Sequence, residues 1–155
     1  MSKILTGDAL ELARQLPAKS IHCIITSPPY WNLRDYGVPG ALGNEAQPDC
    51  LGWATGEKCG ECYVCRLTEI INALRPALRG DGTLWLNLGD SYISAPKGST
   101  LGVRNSTLKG SKTYNGLTSP AGTFNKANCS LTEKNMAGIP WRVALALQAA
   151  GWILR

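Results

Sequence analysis

Two groups of residues in this 155-residue sequence have types and spacings suited to chemistry. The first is Cys50, Cys59, Cys62 and Cys65, a C-x8-C-x2-C-x2-C pattern inside "CLGWATGEKCGECYVC". Two-residue gaps let neighbouring thiolates turn onto one ion, and four sulfurs suit tetrahedral structural zinc. Iron-sulfur ligation uses similar spacing but is followed by a C-P step that is missing here, and a set of free thiols is the plain alternative. The second group is "SPPYW", Ser27 to Trp31, directly after the apolar run "SIHCII". Its prolines fix φ and remove N–H donors, which leaves nearby carbonyls as acceptors. Ser27 adds an oxygen, and Tyr30 and Trp31 add flat π faces. A planar ligand bearing an amino group fits this set, with its ring stacked and its two N–H bonds accepted. A rigid Pro-Pro turn with its aromatics packed in the core is the structural alternative.

These residues need a frame. "SIHCIIT" and "TLWLNLGD" read as parallel strands buried on both faces, joined by a helix over residues 63–79. That helix shows Val64, Leu67, Ile70, Ile71, Leu74 and Leu78 on one face, Pro76 bends its end, and "GDG" makes the turn into the second strand. The crossover of such a unit is right-handed. Ligands of open parallel sheets bind beyond the carboxyl ends of the strands, which is where "SPPYW" and the second polar cluster, Asn87 to Tyr92, both fall. Within that cluster Asn87 is a ligand contact or a satisfied core polar group. Asp90 and Ser91 bind ligand or close the strand-end turn. Upstream, Asp8 opens a helix stopped by Pro17, with Glu11 placed to complete a capping box. "GIPWRVALALQAAGW" gives a last helix, and "WILR" begins a strand in which the chain stops. The expected fold class is therefore α/β with a parallel sheet that is incomplete, one domain portion over residues 1–155. It carries a cysteine-rich insert at about 48–66 and a basic loop at about 93–138.

The net charge of +5 favours an anionic partner such as nucleic acid. The basic loop contributes Lys97, Arg104, Lys109, Lys112, Lys126 and Lys134 against one acid, Glu133, and either tracks phosphates or is simply solvated. No run approaches the roughly 18 apolar residues of a membrane span, and the first residues lack a signal-peptide core, so the expectation is a cytoplasmic protein without a membrane partner. Disulfides fit that setting poorly.

At Ser27, Pro28, Pro29 and Tyr30 the sequence resembles the DNA amino-methyltransferases, whose hallmark is [DNS]-P-P-[YFW]. The resemblance extends to "GD" at Gly7 and Asp8, to "GTLWLNLGDSY" at Gly82 to Tyr92, and to "GIPWRVALALQAAGW" at Gly138 to Trp152. It implies a Rossmann-like fold that binds S-adenosylmethionine and acts on double-stranded DNA, as in restriction-modification. A base flipped from the duplex receives a methyl group on its exocyclic nitrogen. By that analogy Tyr30 stacks on the base, and Ser27 Oγ and the Pro28 carbonyl accept the amino hydrogens. Trp31, Asn87, Asp90 and Ser91 are further substrate contacts, and Asp8 lies near the cofactor or is only a helix cap. Serine in the first position favours cytosine N4 over adenine N6. The resemblance also implies a glycine-rich cofactor motif, D-P-F-x-G-S-G-T, which this sequence lacks. A second chain would then supply the missing cofactor-binding half. Two readings compete: methylation of a glutamine amide, and a non-enzymatic remnant or zinc-containing DNA-binding module.

Overall fold

The computed structural model describes residues 3–33, 36–93 and 131–155. Helix α1 (Ala9–Arg14) starts at Asp8, whose Oδ1 accepts the amide N–H groups of Leu10 (2.9 Å) and Glu11 (3.0 Å). Two of the donors that a first turn leaves open are thereby satisfied. Strands β1 (Ile21–Thr26) and β2 (Leu78–Leu86) pair in parallel, as expected. Between them run a single short turn, α2 (Gly52–Thr55), and the main helix, α3 (Tyr63–Leu74).

The helix expected over residues 63–79 is shorter than its apolar pattern suggests. After Leu74 a 3-10 turn covers Arg75–Ala77, and Leu78 already opens β2. Pro76 has no N–H to donate, and the carbonyls of Pro76 and Ala77 accept the N–H groups of Lys19 and Ser20 at 2.9 Å each. The backbone thus leaves the helix for the sheet one turn early. The "GDG" turn lies within the strand instead of before it. Pairing jumps from Ile21 with Leu78 to Cys23 with Thr83, so residues 79–82 bulge from the ladder. Gly82 is required there, because a Cβ would stand 2.7 Å from Leu78 Cγ and 3.0 Å from the His22 carbonyl.

The expectation of strands buried on both faces also fails. Ile21, Ile24, Leu84 and Leu86 are half-buried, whereas Ile25 is 80% and Trp85 64% exposed. The core lies on one side only: Trp31, Tyr63, Val64, Leu67, Ile71, Ile93, Ile139, Val143 and Leu147, with Leu84 and Leu86 packed against it. Among the described residues no element covers the other face. His22 and Cys23 are both exposed.

Helix α4 (Ile139–Ala149) follows Gly138, with Pro140 in its first turn, where a missing N–H costs nothing. The strand expected at "WILR" is not formed among the described residues. Instead Trp152 folds back, its N–H on the Leu147 carbonyl (3.0 Å) and its Nε1 on Asn72 Oδ1 (2.8 Å). Arg75 stacks 5.7 Å from the Trp152 ring and donates to the carbonyls of Ala150 and Gly151, clamping α4 onto α3. Tyr92 and Met136 form an antiparallel bridge that brings the two ends of the basic loop together. Lys134 is exposed on one of those ends, while Lys97, Arg104, Lys109, Lys112 and Lys126 lie outside the described residues. No described helix is long and apolar enough to cross a membrane.

Candidate functional site

Parallel pairing places Thr26 opposite Leu86, and the Asn87 N–H reaches the Thr26 carbonyl at 2.9 Å. The two polar clusters therefore leave the sheet side by side. The contact between them is close: a Cβ on Gly89 would stand 2.6 and 2.7 Å from two ring carbons of Tyr30, so the ring packs against bare backbone. Ser27 is exposed, with Oγ 3.4 Å from Tyr30 Oη, a contact too long to bind the hydroxyl firmly. Tyr30 is half-buried.

The backbone of the motif is held from the insert side. Tyr63, fully buried at the start of α3, donates its hydroxyl to the Pro29 carbonyl at 2.8 Å. Burial first, then the negative charge of Glu45 and the proximity of Tyr30, push the Tyr63 phenol well above its ordinary pKa, so it stays a donor. Trp31 is buried and donates Nε1 to the Glu45 carbonyl at 2.9 Å, and the Asn32 N–H meets the Gly43 carbonyl at 2.7 Å. Trp31 thus anchors the motif in the core and does not face a ligand. Among the described residues the Pro28 carbonyl accepts no hydrogen bond, which leaves it available as an acceptor beside Ser27.

Glu45 organises this wall. Its buried carboxylate accepts Nη1 of Arg66 at 2.5 Å and the Gly43 N–H at 2.9 Å, while Arg66 also reaches the Gly40 carbonyl. Burial raises the Glu45 pKa despite the lowering effect of these partners. Asp49 plays the corresponding part toward α4. Its fully buried carboxylate takes the Leu51 N–H, Trp53 Nε1 and Arg142 Nη1, each within 3.0 Å.

Of the other expected contacts, Asp90 is engaged within the protein. Its Oδ1 accepts the N–H of Ser91 (2.8 Å) and of Ile139 (3.1 Å), so it caps α4 from a distance. Ser91 Oγ is buried with no partner among the described residues. Asn87 is exposed at the strand end. Asp8 serves as the cap of α1.

The four cysteines do converge: the Sγ atoms of Cys50, Cys59, Cys62 and Cys65 all lie within 4.8 Å of one another. None is in a disulfide, and Cys50 Sγ stands 3.5 Å from Cys65 Sγ. At Cys50, burial opposes ionisation, but the amides of Cys59 and Gly52 and the thiols of Cys59 and Cys65 outweigh it and lower the pKa to about 7. Burial pushes Cys62 the other way. A cavity of about 270 Å³ adjoins this cluster and α3 and is lined by Trp53, Gly60, Cys65 and Asn72 among others, none from the strand ends.

Sequence reasoning missed Tyr63, Glu45, Asp49 and Gly89 as parts of the site. Tyr63 reads as an ordinary helix residue, and nothing in the spacing signals that its hydroxyl reaches Pro29, 34 positions earlier.

A strand-end hydroxyl, a pair of prolines and an aromatic ring against a glycine come together at the strand ends of an α/β scaffold. Residues 21–155 match the family of N6/N4 type described as DNA methylase, and the chain belongs to that family. Among curated relatives it is 38% identical to the Type II methyltransferase M.SmaI of Serratia marcescens, over 99% of this chain and 45% of that protein. It is 37% identical to M.XycI of Xanthomonas campestris pv. cyanopsidis, with 99% and 44% covered. It is 36% identical to M.Cfr9I of Citrobacter freundii, with 98% and 43% covered. The chain thus spans less than half the length of these relatives. No solved structure matches it.

Proposed function

We propose that this chain carries the base-holding part of a DNA methyltransferase that transfers a methyl group to an exocyclic amino nitrogen, with cytosine N4 favoured over adenine N6. The observation that carries this is the strand-end pairing of Thr26 with Leu86, from which the exposed Ser27, with Oγ 3.4 Å from Tyr30 Oη, and the second polar cluster leave the sheet together, with Gly89 against the Tyr30 ring. The target amine is unreachable within a stacked duplex, so the base is flipped onto Tyr30. Ser27 Oγ and the Pro28 carbonyl accept its two hydrogens and draw the nitrogen lone pair out of conjugation with the ring. Positioning and preorganised acceptors do the work, with no covalent bond between base and protein. The donor is S-adenosylmethionine, which when bound supplies an electrophilic methyl group. Asp8 is the candidate cofactor contact among the described residues, and its cap uses Oδ1, leaving Oδ2 to meet a ligand. Such a donor also needs the glycine-rich motif absent from these 155 residues. A second chain or further polypeptide would provide it within a Rossmann-like sheet. The net charge of +5 suits a duplex DNA partner in a cytoplasmic restriction-modification setting.

The test is methyl transfer from labelled cofactor to duplex DNA, followed by nucleoside analysis. The expected product is N4-methylcytosine, and N6-methyladenine would move the substrate to the other base. Loss of transfer in Ser27→Ala supports the assigned site, whereas an unchanged rate would reject it.

A further inference from the structure

We propose that Cys50, Cys59, Cys62 and Cys65 bind one zinc ion as four thiolates, and that this ion sets the Tyr63 hydroxyl against Pro29, coupling metal occupancy to the geometry of the "SPPY" loop. A tetrahedral zinc–thiolate site has Zn–S bonds of about 2.3 Å and therefore S···S separations of about 3.8 Å. The four sulfurs already lie within 4.8 Å of each other, so closure needs only small side-chain rotations. Cys50 and Cys65 at 3.5 Å are far from the roughly 2.05 Å of a disulfide.

The backbone is arranged for thiolates as well. The Gly52 N–H points at Cys50 Sγ (3.4 Å), those of Glu61 and Cys62 at Cys59 Sγ (3.4 and 3.3 Å), and that of Cys65 at Cys62 Sγ (3.4 Å). Amide donors aimed at sulfur stabilise the charged ligand and orient its remaining lone pairs, as partners of metal ligands do. Gly60, at φ +76, makes the left-handed turn that brings Cys59 and Cys62 to the same side. Residues 54–61 are all exposed, so apolar burial does not hold this stretch, and an ion is the fitting staple.

The coupling follows from the chain. Cys62 is the N-cap of α3, and the next residue is Tyr63, whose N–H is fixed to the Gln47 carbonyl and whose hydroxyl holds the Pro29 carbonyl. Cys50 follows Asp49, whose carboxylate ties the insert to Arg142 of α4. Zinc thus pins both ends of the insert, and one side chain passes that constraint to the loop. Tyr63 is a positioning residue. The metal site stands on its own geometry, while its bearing on methyl transfer rests on the function proposed above.

The experiment is metal analysis of the purified chain combined with amide hydrogen exchange. About one zinc per chain is expected, lost in Cys59→Ser and Cys62→Ser. Stripping zinc with a chelator should speed exchange at residues 45–66 and also at 26–33, with α1 and β2 little changed. Tyr63→Phe should keep its zinc yet exchange faster at 26–33 alone, and this holds the proposal falsifiable if the cysteine variants do not fold. Iron in place of zinc, no metal, unchanged exchange at 26–33 on zinc loss, or a uniform rise across the chain would each overturn it. Neither readout needs turnover. An unchanged methyl-transfer rate in Ser27→Ala together with a zinc-dependent loop would sink the assigned methyltransferase site and leave this proposal standing.

Discussion

Ser27 and Tyr30 do different work, and substitutions can separate the two. If Ser27 Oγ accepts an amino hydrogen in the transition state, Ser27→Ala should lower kcat about 100-fold, the usual cost of one preorganised hydrogen-bonding group, with KM for DNA little changed. Tyr30 acts through its ring. Tyr30→Phe keeps the π face and loses only the long 3.4 Å contact with Ser27, so steady-state kinetics should show most activity retained. Tyr30→Ala should lose about 1–3 kcal/mol of base stacking, read as weaker binding to DNA with an abasic or mismatched target position. Gly89 sets where that ring lies. Gly89→Ala would drive a methyl group to 2.6 Å from the Tyr30 ring, an overlap the ring must leave. The expected cost is about 1–3 kcal/mol in urea unfolding, together with the activity loss of a displaced ring.

Among the elements, α4 and the insert are joined by the ion pair of Arg142 with Asp49, whose carboxylate is fully buried. Arg142→Met removes the cation and leaves Asp49 with only the Leu51 N–H and Trp53 Nε1. Denaturant unfolding should show a loss of about 3 kcal/mol, because an uncompensated buried charge costs more than the pair contributes. The same elements show where sequence was informative. Period and capping placed α1, α3 and α4, since Asp8, Pro17, Pro140 and Gly151 are local signals with local effects. The early end of α3 was hidden, because Leu78 continues the apolar period while the carbonyls of Pro76 and Ala77 are claimed by Lys19 and Ser20, some 60 positions away. Strand burial was hidden for a related reason. "SIHCIIT" is apolar throughout, and composition cannot reveal that α3 and α4 cover a single face. At the site, "SPPY" and the four cysteines were legible as clusters. The link between them was not, because it is one hydroxyl reaching across the fold.

At the scale of the whole molecule, the bare face of the sheet has a consequence in solution. Ile25 and Trp85 are neighbours in register on paired strands, 80% and 64% exposed, and among the described residues the two-stranded sheet leaves edge donors and acceptors open on both sides. Contiguous apolar surface and unpaired edges together favour association with further polypeptide. In its absence the 155-residue chain should self-associate. Sedimentation velocity across a concentration series should show the average mass rising with concentration. Ile25→Lys puts a charge at the centre of the patch, and because the side chain is exposed it should change unfolding free energy by no more than about 0.5 kcal/mol. It should shift the association midpoint to higher concentration. A large loss of stability in Ile25→Lys would mean that the face is buried in the isolated chain, and concentration-independent sedimentation of the unaltered chain would show that the exposed patch does not drive association.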